Sequence, residues 1–145
     1  MRIGVVHGPN LRLLGDREPE HYGTLPLEEI DDRIRELGSE LSVGVERFQS
    51  NHEGEILDYL EEARTRVDGF LVNAAGLTHT SVALRDALMG VGKPFVEVHL
   101  SNTAAREEFR HRSLLSPVAA GVVYGFGAES YLLGLRGLVG RLSLR

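Results

Sequence analysis

Apolar residues fall along this chain in short blocks separated by stretches of helical periodicity. Ile3 to His7 is an apolar run that ends at Gly8-Pro9, which reads as a buried strand entering a turn. The segment up to Thr24 has no periodicity, and unstructured loops longer than about a dozen residues are uncommon in compact domains unless they act as lids or binding loops. Residues 10–24 are therefore a candidate lid or binding loop. From Pro26, which suits a first helical turn, Leu27, Ile30, Ile34, Leu37 and Leu41 recur at helical spacing and predict a helix over 26–41. Gly44 to Gln49 reads as the second strand. Ser50-Asn51-His52-Glu53 has the form of a capping box before a helix whose stripe is Ile56, Leu57, Leu60 and Ala63, ending near Arg66.

The alternation continues to the end of the chain. Gly69 to Asn73 is a third strand, and the loop 74–79 leads into a helix capped by Thr78 or Thr80 that runs to Gly90. Phe95 to His99 is a fourth strand, a polar stretch follows with one short helix around 104–111, and a strand at 119–124 precedes a last helix from Ala128 to about Leu142. Strands alternating with helices predict an α/β fold with a parallel sheet. At this length the expected architecture is a flavodoxin-like three-layer sandwich with a five-stranded parallel sheet of order 2-1-3-4-5, whose ligands bind beyond the carboxyl ends of the strands. No linker, repeat or low-complexity tract divides the chain, so residues 1–145 read as a single domain.

Composition narrows the chemistry. The 145 residues are 42% hydrophobic and 26% charged, enough for a real core. The absence of cysteine excludes disulfides, thiolate metal sites and a Cys nucleophile, and the formal charge of −5 argues against a nucleic-acid partner and for a small molecule. Without an 18-residue apolar run or a basic-then-apolar start, neither a membrane partner nor a signal peptide is expected, and the expected location is cytoplasmic. Fifteen of the sixteen basic residues are Arg, so any Schiff-base mechanism would have to use Lys93. Gly90-Val91-Gly92-Lys93-Pro94 fails as a P-loop because Pro follows Lys and a strand follows the segment. Gly125-Phe126-Gly127 lacks the third glycine of a dinucleotide fingerprint.

Polar residues cluster where the fold would place a site. Arg17 and Tyr22 share one loop, and a guanidinium beside a phenol favours the phenolate, a usable base; a pair of solvated loop residues is the other reading. Glu97 and His99 are two apart on a strand and face one side, so the carboxylate can fix the imidazole for general-acid work; a satisfied core pair is the other reading. Asn73-Ala74-Ala75-Gly76 can bring backbone close to a ligand at a helix start, or be an ordinary turn. Arg106 and Arg110, four apart on the expected helix, could clamp a carboxylate or lie on a solvated face.

These segments resemble one family. Gly8-Pro9-Asn10, Arg17-Glu18-Pro19 with Tyr22-Gly23, Gln49 to Glu55, Asn73 with His79 to Asp86, Glu97-Val98-His99 with Ser101-Asn102, and Arg106 to Arg110 have the order and spacing of type II 3-dehydroquinate dehydratases, over nearly the whole chain. The resemblance implies a hydro-lyase that reversibly removes water from 3-dehydroquinate by anti elimination through an enolate, giving 3-dehydroshikimate. It implies no cofactor and no metal, and the step is shared by the shikimate pathway of aromatic amino acid biosynthesis and by quinate catabolism. By the same resemblance Tyr22 is the proton acceptor, Arg17 stabilises the transition state, Asn10 assists the enolate through a water, and His99, oriented by Glu97, is the proton donor. Asn73, His79 and Arg110 would hold hydroxyls, and Leu100 and Ser101 the carboxylate. Asp86 would reach a neighbouring subunit's site in a dodecamer built from trimers. The sequence departs from the family's usual residues at His7, Asp16, Gly90 and Thr103-Ala104. The competing reading is a flavodoxin-like module that binds a small acid without catalysis, in which an acid–base pair would have no use.

Overall fold

Residues 1–16 and 18–144 are described by a computed structural model, and Arg17 and Arg145 lie outside the described residues. Five strands form one parallel sheet in the expected order: β2 (Gly44–Gln49), β1 (Arg2–His7), β3 (Gly69–Asn73), β4 (Phe95–His99) and β5 (Gly121–Tyr124). The two-residue period of a strand sends neighbouring side chains to opposite faces, and both faces are apolar. Ile3, Val5, Leu71, Val96 and Val98 pack with Ile30 and Ile34 of one helix (Leu27–Glu40) and with Leu135 and Leu138 of another (Glu129–Ser143). Val6, Phe70, Val72 and Phe95 pack with Ile56 and Leu60 of the helix Glu53–Ala63 and with Leu84 and Leu88 of the helix Val82–Gly90. With the short helix Pro19–Tyr22, these helices are numbered in chain order: α1 (Pro19–Tyr22), α2 (Leu27–Glu40), α3 (Glu53–Ala63), α4 (Val82–Gly90) and α5 (Glu129–Ser143). Among the described residues no helix is long and apolar enough to cross a membrane.

Two glycines set the close approaches that shape the carboxyl end of the sheet. A Cβ on Gly8 would lie 2.4 Å from the Ala74 carbonyl oxygen, so only glycine lets the turn after β1 lie against the turn after β3, where Gly8 N–H donates to Asn73 O at 2.7 Å. A Cβ on Gly134 would meet Val98 Cγ2 at 2.8 Å and Leu71 Cδ1 at 2.9 Å, so glycine seats α5 directly on the sheet.

Several local expectations are corrected. The segment 10–24 is not structureless: it carries a 3₁₀ turn at Leu11–Leu13 and α1, which Pro19 opens. The α3 cap is not a box on Ser50; Ser50 Oγ accepts from His52 N–H at 2.9 Å and donates to Glu55 Oε1 at 2.6 Å, and the helix ends at Ala63. Helix α4 is capped by Ser81, whose Oγ accepts from Leu84 N–H at 2.9 Å, because residues 75–79 form a 3₁₀ turn that takes Thr78 and Thr80 out of capping range. No helix spans 104–111. Arg106 is extended (φ −110, ψ −165), and its carbonyl accepts from His111 Nε2 at 2.9 Å instead of from a helical amide, leaving separate 3₁₀ turns at Thr103–Ala105 and Glu108–Arg110.

Candidate active site

The carboxyl ends of β1, β3 and β4 converge on a cavity of about 120 Å³ lined by Pro9, Asn10, Leu11, Tyr22, Asn73, Ala75, Gly76, His79, His99, Leu100, Ser101, Thr103, Arg106 and Arg110. Nine of the eleven candidate site residues bear on it: eight line it, and Glu97 holds one of its walls. Asp86 does not line it and stands exposed on α4. Arg17 lies outside the described residues.

His99 and Glu97 are buried together, and Glu97 Oε2 accepts from His99 Nε2 at 2.5 Å. This bond engages Nε2 and leaves Nδ1 as the other ring nitrogen of a side chain that lines the cavity. Two serines complete the carboxylate: Ser113 Oγ and Ser116 Oγ donate to Glu97 Oε1 at 2.9 and 2.7 Å. Burial alone would raise the Glu97 carboxyl, but the hydrogen bonds from His99, Ser116 and Ser113 and the imidazole's charge outweigh it and hold the group below its ordinary value, hence ionised. The sequence offered no signal for these serines, which lie 16 and 19 residues further along and hold no regular spacing.

On the opposite wall, α1 presents Tyr22, whose phenol oxygen accepts from Arg106 Nη1 at 2.7 Å. Arg106 has a buried side chain, lies with its guanidinium carbon 5.0 Å from the Tyr22 ring centroid, and donates also to Ser101 Oγ at 3.3 Å. A charge-assisted bond to an oxygen strengthens as that oxygen becomes an anion. Arg106 thus aims a fixed positive charge at the phenol across 84 residues of sequence, a role its spacing from Arg110 did not reveal. The four-residue spacing marked both arginines for one face, and both do line the cavity, although separate turns rather than a helix put them there.

The remaining walls are polar and anchored. Asn10, with φ 70, is held by its N–H donating to Asn51 Oδ1 at 2.9 Å, and Gln49 Nε2 donates to Gly8 O at 3.1 Å, tying the first turn to the end of β2. Asn73 Oδ1 accepts from Ala75 N–H at 3.1 Å. His79 Nδ1 donates to Arg112 O at 2.8 Å, and its ring lies 6.5 Å from that of His99. An imidazole backed by an ionised carboxylate and an arginine-held phenol line one cavity, a pair whose chemistry suits proton transfer by a general acid and a general base. Among the described residues no group of three or more His, Cys, Asp or Glu could hold a metal ion.

The chain is similar to known proteins over nearly its whole length. A family model described as dehydroquinase class II matches residues 1–139. A 3-dehydroquinate dehydratase of Desulforudis audaxviator is 57% identical over 139 residues, covering 96% of this chain and 93% of its own. One of Prochlorococcus marinus is 52% identical over 142 residues, covering 98% of each. The crystal structure of a type II dehydroquinase from Butyrivibrio crossotus superposes with a TM-score of 0.93 at 42% identity, covering 95% of this chain and 97% of that one.

Proposed function

The chain belongs to the class II dehydroquinase family, a family of hydro-lyases acting on 3-dehydroquinate, and from that premise we propose how its own residues carry the reaction. Tyr22, as phenolate, takes the C2 proton, and the C–H electrons move into the carbonyl to form an enolate. Arg106 and, by family resemblance, Arg17 balance the phenolate's charge. Asn10, through a water, donates to the enolate oxygen, where charge develops. The enolate then collapses and expels the C1 hydroxyl, which leaves as water with the proton from His99 Nδ1. Glu97, kept ionised, stabilises the imidazolium before that transfer. Asn73, His79 and Arg110 hold the substrate hydroxyls, and Leu100 and Ser101 take its carboxylate. Residues 1–145 act as one catalytic domain, with the cytoplasm as its proposed compartment, which cell fractionation checks.

The observation that carries this reading is that the two proton-transfer groups, each backed by an ionic partner, line the same cavity. A module that only bound a small acid would need neither. Mixing the protein with 3-dehydroquinate and following the absorbance of the conjugated enone tests it. Turnover is expected from the parent chain and almost none from Tyr22→Phe or His99→Ala; full activity in either variant removes that residue from the mechanism.

The assembly we propose is a dodecamer of four trimers in which Asp86 reaches a neighbouring copy's site. Beside the cavity lies a recess of about 390 Å³ whose lining includes His79, Arg110, His111 and Arg112, basic groups that suit an acidic side chain from another copy. Exposed Asp86 is a candidate for that side chain.

A further inference from the structure

Asn73 sits at the end of a buried hydrogen-bond chain that no step above uses. His7, fully buried, pairs in the sheet register with Asn73, and between their side chains stands Tyr131 of α5, also fully buried. Tyr131 Oη lies 3.0 Å from Asn73 Nδ2 and 2.9 Å from His7 Nδ1. His7 Nε2 lies 2.7 Å from Oδ1 of buried Asp31, whose Oδ2 accepts at 2.9 Å from Arg47 Nη1 at the half-exposed edge of the sheet. The chain therefore crosses the molecule from surface to cavity.

Its direction follows from one fixed donor. The backbone N–H of Ala75 can only donate, so the atom it meets on Asn73 is Oδ1, and Nδ2 must face Tyr131. Tyr131 Oη then accepts from Asn73 and passes its own hydrogen to His7 Nδ1. An accepting Nδ1 leaves the ring hydrogen on Nε2, which donates to Asp31. A second hydrogen on Nδ1 would strand the Tyr131 hydroxyl hydrogen in the core, where an unmade bond is costly. Burial pushes the Tyr131 phenol up, so it stays a neutral donor.

We propose that His7 and Tyr131 are positioning residues that lock the Asn73 amide, so that Asn73 offers the cavity the second Nδ2 hydrogen as a donor to a substrate hydroxyl. Without the lock only the Ala75 N–H, at 3.1 Å, holds the amide, and Nδ2 is no longer fixed toward the substrate hydroxyl. The inference rests on the reading that Asn73 touches the substrate.

The test has two independent parts. In ¹⁵N-labelled parent protein, the His7 ring nitrogens are expected to report a hydrogen on Nε2 and a bare Nδ1; a hydrogen on Nδ1 overturns the lock without any variant having to fold. In steady-state kinetics with 3-dehydroquinate, Tyr131→Phe should raise KM about 3- to 10-fold, the worth of one hydrogen bond, with a smaller change in kcat. His7→Leu should raise KM more than His7→Asn, whose Oδ1 can take the Tyr131 hydrogen; equal values, or an unchanged KM in Tyr131→Phe, overturn the proposal. Asn73→Ala separates the two ideas. If it raises KM while Tyr131→Phe does not, the lock alone is wrong; if it leaves KM unchanged, Asn73 does not touch substrate and both fall.

Discussion

Arg106 illustrates how a single residue acquires its chemistry from its neighbours. Its guanidinium donates at 2.7 Å to the phenol that is to become the base, in a buried setting where such a bond is strong. Arg106→Leu is expected to lower kcat about 10- to 1,000-fold at neutral pH, because without the neighbouring positive charge less of Tyr22 is present as phenolate. Steady-state kinetics check this, and an unchanged kcat would mean that Tyr22 needs no help from this side. Glu97 makes a second prediction at this scale. Its folded value is held below the ordinary 4.5, so it contributes stability that is fully present above the unfolded value and is lost as pH falls through the folded one. Glu97→Gln should therefore melt lower than the parent at neutral pH, and the gap should close as pH falls below the ordinary carboxyl value and through the lowered folded one. A gap independent of pH in thermal melts would assign the loss to packing.

At the scale of elements, the turns after β1 and β3 are built as a pair around Gly8. Because the clash of an added Cβ is with the Ala74 backbone, which cannot swing aside like a side chain, Gly8→Ala should cost about 1 to 3 kcal/mol in urea unfolding. A midpoint equal to the parent's would show that the two turns can separate. Strand β4 makes a complementary point, since Lys93 stands just before its amino end while Glu97 and His99 occupy its carboxyl end. Lysine and acid–base pair are held at opposite edges of the sheet by the length of the strand. Borohydride added during turnover should leave activity intact, and a reduced adduct on Lys93 in the mass spectrum would replace the enolate mechanism with an imine.

For the whole molecule, Val122, Tyr124 and Phe126 at the β5 edge and Leu133 on α5 are exposed large apolar side chains, which the proposed assembly would give something to pack against. The assembly prediction joins that surface to the site. Light scattering should report a particle of twelve chains, and Asp86→Ala should lose activity more than stability. Mixing it with Tyr22→Phe under subunit exchange should restore some sites, because one copy supplies Asp86 and the other an intact Tyr22. A fully active monomer, or no recovery despite proven exchange, would show that each site is built within one chain.

Sequence by itself determined the layers of this protein. Strands Gly69–Asn73 and Phe95–His99 were readable to the residue, because a buried parallel strand is a largely continuous apolar run, and the period of the helices told which faces they cover. The Glu97–His99 pair was legible for the same reason, since two positions on one strand face must share a side. What depends on residues far apart in the chain was decided only by the tertiary structure. Ser113 and Ser116 reach Glu97, Arg106 reaches Tyr22, and Tyr131 and Asp31 reach His7, each from a loop or helix whose sequence carries no periodic trace of the contact. The caps were misread on the same grounds. Ser81 rather than Thr78 or Thr80 caps α4 because the preceding turn winds as a 3₁₀ segment, a choice set by how the backbone packs at the cavity and not by the capping residue's own preference. Periodicity records which way a side chain points, whereas hydrogen bonds between distant segments exist only after the sheet has brought its strand ends together.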